Sequence, residues 1–295
     1  FVGLNSSDKV NIKVVWPSGK ITQLKDVEPN QNLKLSEAEA SNKNLDLSGS
    51  STQAVFNEAP LNLDFKHEEN QFVDFDVDRA LFLMKSTMGP KLSQGDLNGD
   101  GMTDIFVGGS RDHAATILLA TANGFQKSQP EVFTKDAISE DLQSIIFDAD
   151  NDGDLDIYVC SGSIEFSSSS SAFEDRMYFN DGKGGFTKSA QILPAQTRYV
   201  SSSTVSAADF DNDGDIDLFV GEGGKPMQYG VPGDGFLLAN DGKGQFTDVT
   251  DQKAPELRKL GMITSSTFTI GNMNCIRSAG KLVCIKISKT YKFFI

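Results

Sequence analysis

The chain has 295 residues, enough for two ordinary domains or one large all-β domain, and its 41 acidic against 27 basic residues leave a formal net charge of −14. Such a charge repels a phosphate backbone, so nucleic acid is excluded as a partner and a cation is the better match. No apolar run reaches the roughly 18 residues needed to span a bilayer, so no transmembrane segment is expected.

Residue 1 is Phe rather than Met, and no basic patch followed by an apolar stretch opens the sequence. No signal peptide can be read, and the chain is expected to be a fragment whose true start is missing. In Val10–Trp16 the apolar residues nearly alternate, Pro17-Ser18-Gly19 breaks the run, and Ile21–Val27 resumes it, which predicts a β-hairpin within a small β domain over residues 1–40. Residues 41–60 are rich in Ser, Asn and Leu without a sustained period and read as a linker.

From residue 61 the sequence repeats. Asp96–Asp104 (DLNGDGMTD), Asp148–Asp156 (DADNDGDLD) and Asp209–Asp217 (DFDNDGDID) align without gaps, with starts 52 and 61 residues apart, and each runs directly into an apolar strand. Downstream stands a Gly-rich turn ending in Phe: Asn180–Phe186 (NDGKGGF), Asn240–Phe246 (NDGKGQF) and, more faintly, Asn123-Gly124-Phe125. The two signals in fixed order describe one blade of a β-propeller. The fold class is therefore all-β, a partial β-propeller of four-stranded blades over residues 61–265 preceded by the small β domain. Residues 61–265 hold fewer than four blades at this spacing, whereas closed rings need about four to eight, so an open arc is expected. Residues 266–295 contain five basic and no acidic residues, and no fourth loop falls at 261–270. That tail is expected to be atypical, either a frame-shifted or artificially terminated end or a divergent closing strand pair.

The loops have the chemistry of calcium sites. Calcium takes about six to eight oxygen ligands, which a short loop with carboxylates at alternate positions can supply. Positions 1, 3 and 5 are Asp96, Asn98 and Asp100; Asp148, Asp150 and Asp152; Asp209, Asp211 and Asp213. Position 6 is Gly101, Gly153 or Gly214, where the chain turns sharply. Position 7, which would offer its backbone carbonyl, is Met102, Asp154 or Asp215, and position 9 is Asp104, Asp156 or Asp217. A helix-loop-helix calcium hand needs a bidentate Glu at position 12; here Val107, Val159 and Val220 stand there, inside strands. Clusters of Asp, Asn and Gly also occur as plain surface turns, but three aligned copies of mutually repelling carboxylates favour a neutralising cation.

These loops, with Phe106-Val107-Gly108-Gly109 and Phe219-Val220-Gly221 after them, resemble the FG-GAP/VCBS repeats of integrin-like β-propellers. Val14-Val15-Trp16-Pro17-Ser18-Gly19-Lys20 followed by Asn30-Gln31 resembles the ASPIC/UnbV domain of cartilage acidic protein-like proteins. The resemblance implies Ca2+ at the motif positions and an extracellular, secreted or cell-surface location, and it implies no enzyme. Asn98 in place of Asp and Cys160 in place of Gly108 and Gly221 are departures, and the first site is expected to be the weaker.

His67-Glu68-Glu69 reads as a solvated charged patch, with no nucleophile motif beside it, and Trp16 as a core residue of the hairpin. The outer loops 162–176, with five consecutive serines, and 223–235, with Lys225, Met227 and Tyr229, are the candidate contacts to an extracellular protein or glycan; a disordered tip is the alternative for the serines. The function expected is a calcium-binding adhesion or ligand-binding module. The second hypothesis is the propeller of a secreted carbohydrate-active enzyme such as a polysaccharide lyase.

Overall fold

The computed structural model describes residues 9–16, 18, 20–28, 31, 33–41, 63, 65–81, 84–267, 274–278 and 281–285, and the chain divides into two units, Phe1–Pro60 and Leu61–Ile295. The linker read over 41–60 lies, apart from Ser41, outside the described residues.

In the first unit, β1 (Val10–Val15) and β2 (Ile21–Val27) form an antiparallel hairpin in which inward and outward residues alternate along β1. Half-buried Trp16 donates its indole N–H to Thr22 Oγ1 at 2.9 Å, which fixes the ring against the hairpin. Ser41 closes the unit by exchanging backbone hydrogen bonds with Ile21 at 3.0 and 3.2 Å.

The second unit opens with a one-turn helix, α1 (Asp74–Val77), and continues as successive antiparallel meanders. Blade 1 is β3 (Ser93–Gly95), β4 (Asp104–Val107), β5 (Thr116–Thr121) and β6 (Gly124–Ser128). After helix α2 (Glu131–Lys135), blade 2 is β7 (Asp141–Phe147), β8 (Asp156–Ser161), β9 (Arg176–Asn180) and β10 (Phe186–Lys188). Blade 3 is β11 (Ser202–Ala208), β12 (Asp217–Glu222), β13 (Gly235–Asn240) and β14 (Phe246–Asp248). After helix α3 (Thr250–Lys253), β15 (Ile263–Thr267), β16 (Asn274–Ser278) and β17 (Lys281–Ile285) make a three-stranded sheet, so part of the atypical tail carries strands; its other residues lie outside the described ones. The first strands of successive sheets pack on one another, β3 on β7, β7 on β11 and β11 on β15, the stacking of a propeller arc.

Strand periodicity builds the interfaces between blades. Alternate residues of a strand point to opposite faces, so a strand between two neighbours must be apolar throughout. In β8, Ile157 and Val159 join Leu97, Phe106, Ile117 and Phe133 on the blade 1 side, while Tyr158 and Cys160 join Val205, Leu218, Val220 and Phe236 on the blade 3 side. Phe133 of α2 meets Phe106 and Tyr178 edge-on at centroid distances of 5.6 and 4.9 Å, which fits their ring quadrupoles. Phe219, from the other face of β12, packs with Leu257 and Ile263 toward the last sheet. Gly221 permits that approach, because a Cβ there would stand 2.6 Å from Ile263 Cγ2.

Candidate metal loops

Each aspartate loop joins the first strand of a blade to the second, so all three lie at the same end of their sheets. The fully buried position-9 aspartates fix the loops to the sheets. Asp156 Oδ2 accepts from Ala149 N at 2.9 Å and Oδ1 from Asn180 N at 2.8 Å; Asp217 accepts from Phe210 N and Asn240 N, both at 2.9 Å; Asp104 accepts from Leu97 N at 2.9 Å and Ala120 N at 2.7 Å. One oxygen therefore gathers the loop and the other holds the third strand.

Position-5 aspartates make a turn of their own: the Oδ1 atoms of Asp100, Asp152 and Asp213 accept from the amides of Met102, Asp154 and Asp215 at 2.8, 2.9 and 3.0 Å. Gly101, Gly153 and Gly214 at position 6 have φ of 82, 92 and 100°, a conformation that costs glycine little. Position 4 is also left-handed, with Gly99 at 73°, Asn151 at 60° and Asn212 at 63°, a requirement the sequence reading did not single out although Gly and Asn are the residues that tolerate it.

Positions 1, 3 and 9 converge. Oxygens of Asp148, Asp150 and Asp156 all lie within 4.8 Å of one another, as do those of Asp209, Asp211 and Asp217. In the second loop Asp148 Oδ1 and Asp150 Oδ1 are buried without any hydrogen-bond partner, although Gly153 N donates to Asp148 Oδ2 at 3.1 Å. Burial raises Asp156 and Asp217 to about 6 in spite of their backbone donors, with the loop carboxylates adding to the rise. Asp150 and Asp211 are also raised, by burial first and by neighbouring Asp152 and Asp213 next. The donor set is all oxygen, crowded and partly unsatisfied, so it fits a metal ion that prefers oxygen ligands.

The first loop differs. Asn98 replaces the position-3 carboxylate and donates to Asp100 Oδ2 at 3.1 Å. Asp96 accepts from Gly99 N and Gly101 N, both at 2.8 Å, as Asp209 in the third loop accepts from Asn212 N and Gly214 N, and in the first loop those amides, Gly101 foremost, hold the carboxyl below the usual range. Met102 leaves its side chain exposed, while Asp154 sits against Gly182 and Asp215 Oδ1 accepts from Asn151 Nδ2 at 2.7 Å.

The opposite loops do not repeat. The serine-bearing loop is anchored, with Phe166, Ala172 and Phe173 buried around an edge-on Phe166–Phe173 pair at 5.5 Å, and exposed Ser167, Ser168 and Ser169 carried on top. Arg176 is buried and pairs with Asp141, which also accepts from Gly109 N at 2.8 Å; nothing in the sequence pattern marked that pair. His67 pairs with Glu69 at 2.8 Å and His113 faces Glu68 at 3.4 Å; the two glutamates are exposed and the two imidazoles half-buried, and His67, Glu68 and His113 line one cleft.

Residues 96–159 and 161–220 match the FG-GAP-like repeat family model, and residues 1–42 match the ASPIC and UnbV model. These matches and the four-stranded sheets define the chain as a partial FG-GAP-repeat β-propeller with an N-terminal ASPIC/UnbV domain. Among solved structures, one described as "Structure of Dos1 propeller" is similar at 10% identity and a TM-score of 0.39, covering 66% of this chain and 44% of that one. The chain thus spans less than half the length of that propeller. No curated protein matched the sequence significantly. Among the described residues, no helix is long and apolar enough to cross a membrane.

Proposed function

We propose that this chain is a calcium-binding extracellular β-propeller module, non-enzymatic, in which Ca2+ staples the aspartate loops and the opposite loops contact a protein or glycan. The observation that carries the reading is the second loop, where three carboxylates converge and two of their oxygens are buried with no donor. A hard divalent cation satisfies those oxygens, cancels their repulsion and accepts the carbonyls that such loops offer. Residues Asp148, Asp150 and Asp156, and Asp209, Asp211 and Asp217, would be the principal ligands. Position 5 would add Asp152 and Asp213, and position 7 the carbonyls of Asp154 and Asp215. The set from Asp96 to Asp104, with Asn98 and the Met102 carbonyl, would be weaker for want of one carboxylate.

Calcium at these loops also supports an extracellular location, where the free ion is abundant enough to fill structural sites of modest affinity. For recognition, loops 162–176 and 223–235 present Ser167 to Ser169, Met227 and Val231 at the surface, Met227 and Val231 being 54% and 37% exposed. The catalytic alternative draws no support from Arg176 and Tyr158, which are buried and bonded to Asp141 and Asp175. Calorimetric titration of the metal-free chain with Ca2+, repeated on Asp148→Asn with Asp150→Asn, tests the proposal. Loss of one binding event in the double variant is expected; an identical isotherm would overturn it.

A further inference from the structure

The hairpin asparagines do more than turn the chain. Asn180 and Asn240 are the last residues of β9 and β13, 7% and 6% exposed, and each spends its side-chain amide on two loops at once. Asn180 Nδ2 donates to Leu97 O in the first loop and to Leu155 O in the second, both at 3.0 Å. Asn240 Nδ2 donates to Ala149 O in the second loop at 2.7 Å and to Ile216 O in the third at 3.1 Å. In every case the acceptor is the backbone at position 2 of the preceding blade's loop and position 8 of its own. Position 2 lies between the residues at positions 1 and 3, and position 8 directly precedes the position-9 aspartate. The backbone N–H of the same asparagine also holds that aspartate, Asp156 or Asp217.

Two further contacts tie the second loop to blade 3, one to its aspartate loop and one to its hairpin. Asn151 Nδ2 donates to Asp215 Oδ1 at 2.7 Å and to Gly242 O at 3.4 Å. Between the first and second blades the backbones approach instead: a Cβ on Gly99 would lie 2.9 Å from Gly182 O. The counterpart of Asn180 and Asn240 in blade 1, by its bond to the position-9 aspartate, is Ala120, and no aspartate loop precedes that blade in this sequence.

We propose that Asn180 and Asn240 are positioning residues that couple the cation site of one blade to that of the next, so that loading one loop orders its neighbour. The coupling rests on the cation-binding reading above. Its physical basis is that a primary amide has two hydrogens, and here they lock two loop backbones to one rigid strand end; movement of either loop strains the bond to the other. A buried polar link of this kind has few ways to relax, because the partner carbonyls have no water to turn to.

The test uses the full chain, Ca2+ itself as probe, and hydrogen exchange of residues 148–156 as the readout of the second site. Disabling the third site with Asp209→Asn and Asp211→Asn is expected to weaken Ca2+-induced protection of the second by about fivefold in half-saturating concentration, the low end for coupled sites. In Asn240→Ala that effect should fall below about twofold. Asn180→Ala should leave it intact and remove instead the influence of the second site on the first, which a general loss of stability would not do. Should Asn240→Ala fail to fold, the exposed Asn151→Gly, which keeps the left-handed turn, removes the surface bridge to Asp215 and should reduce the same coupling. An undiminished effect in Asn240→Ala, or in Asn151→Gly where Asn240→Ala does not fold, or no effect of the third site on the second while both bind, overturns the coupling and leaves the cation sites standing. Absence of any Ca2+-induced protection in the unaltered chain overturns both.

Discussion

The two ends of the blades were built under different constraints. At the aspartate end the same nine-residue pattern recurs and the same hydrogen bonds recur with it, from the position-9 carboxylate outward. At the other end, structurally matched residues have diverged: Arg176 of blade 2 stands in register with Val159 where blade 3 places Phe236 against Val220, and each answers to a different neighbour. Arg176 pairs with Asp141, whereas the Phe236 ring is approached by the guanidinium groups of Arg198 and Arg258, 5.5 and 5.0 Å from its centroid. Repetition marks what every blade needs in order to close its loop and dock on the next. Divergence marks positions released from that demand, and the proposed recognition is assigned there for that reason.

The sharpest way to break this comparison is to remove the cation. With about a hundredfold excess over the dissociation constant at each of two filled sites, chelation is expected to lower the melting temperature on the order of 10 °C, read by calorimetry. An unchanged melt would mean that the repeated end is held by its backbone bonds alone. At the divergent end, Arg176→Met strands the buried Asp141 carboxylate and should cost about 3–5 kcal/mol in denaturant unfolding, with Ca2+ affinity unchanged. A fall in affinity equal to that of a ligand variant would show that the two ends are not separable.

A second effect at the divergent end distinguishes the two ends by pH. Glu140 is fully buried, accepts from Arg111 N at 2.7 Å and keeps Oε1 unpartnered; burial raises it to about 9. Because the unfolded chain releases this proton near the usual value of 4.5 and the native state retains it, stability falls as pH rises from about 4.5 toward 9. Glu140→Gln keeps the acceptor and removes the titration, so its stability relative to the parent chain should improve with pH across that window. A constant difference between pH 5 and 9 would refute the assignment. The smallest effect is expected from Met102→Ala, within about 0.5 kcal/mol and without change in Ca2+ binding, since its side chain is exposed and only its backbone would serve the loop.

Much of the repeated end was legible in the sequence because its requirements are local. Asp, Gly and Asn at fixed offsets state both the charge and the left-handed turns, and the apolar strands after them state burial on both faces. The hairpin phenylalanines likewise reach the core, Phe246 at 5% exposure and Phe186 packed beside Phe133. The sequence is silent about partners that are distant along the chain. Asn180 looks like a turn residue until it is placed 83 positions from Leu97, and Arg176 looks like a surface charge until Asp141 is brought beside it. The serine run left a contact surface and a disordered tip both open, and Phe166 and Phe173 flanking it supply an anchor that a count of serines does not show.

Anomalous diffraction from crystals of the full chain grown with millimolar Ca2+ addresses the central claim most directly. Peaks are predicted among Asp148, Asp150 and Asp156 and among Asp209, Asp211 and Asp217, with a weaker one at the Asp96 loop. Three empty loops at that concentration would contradict the account.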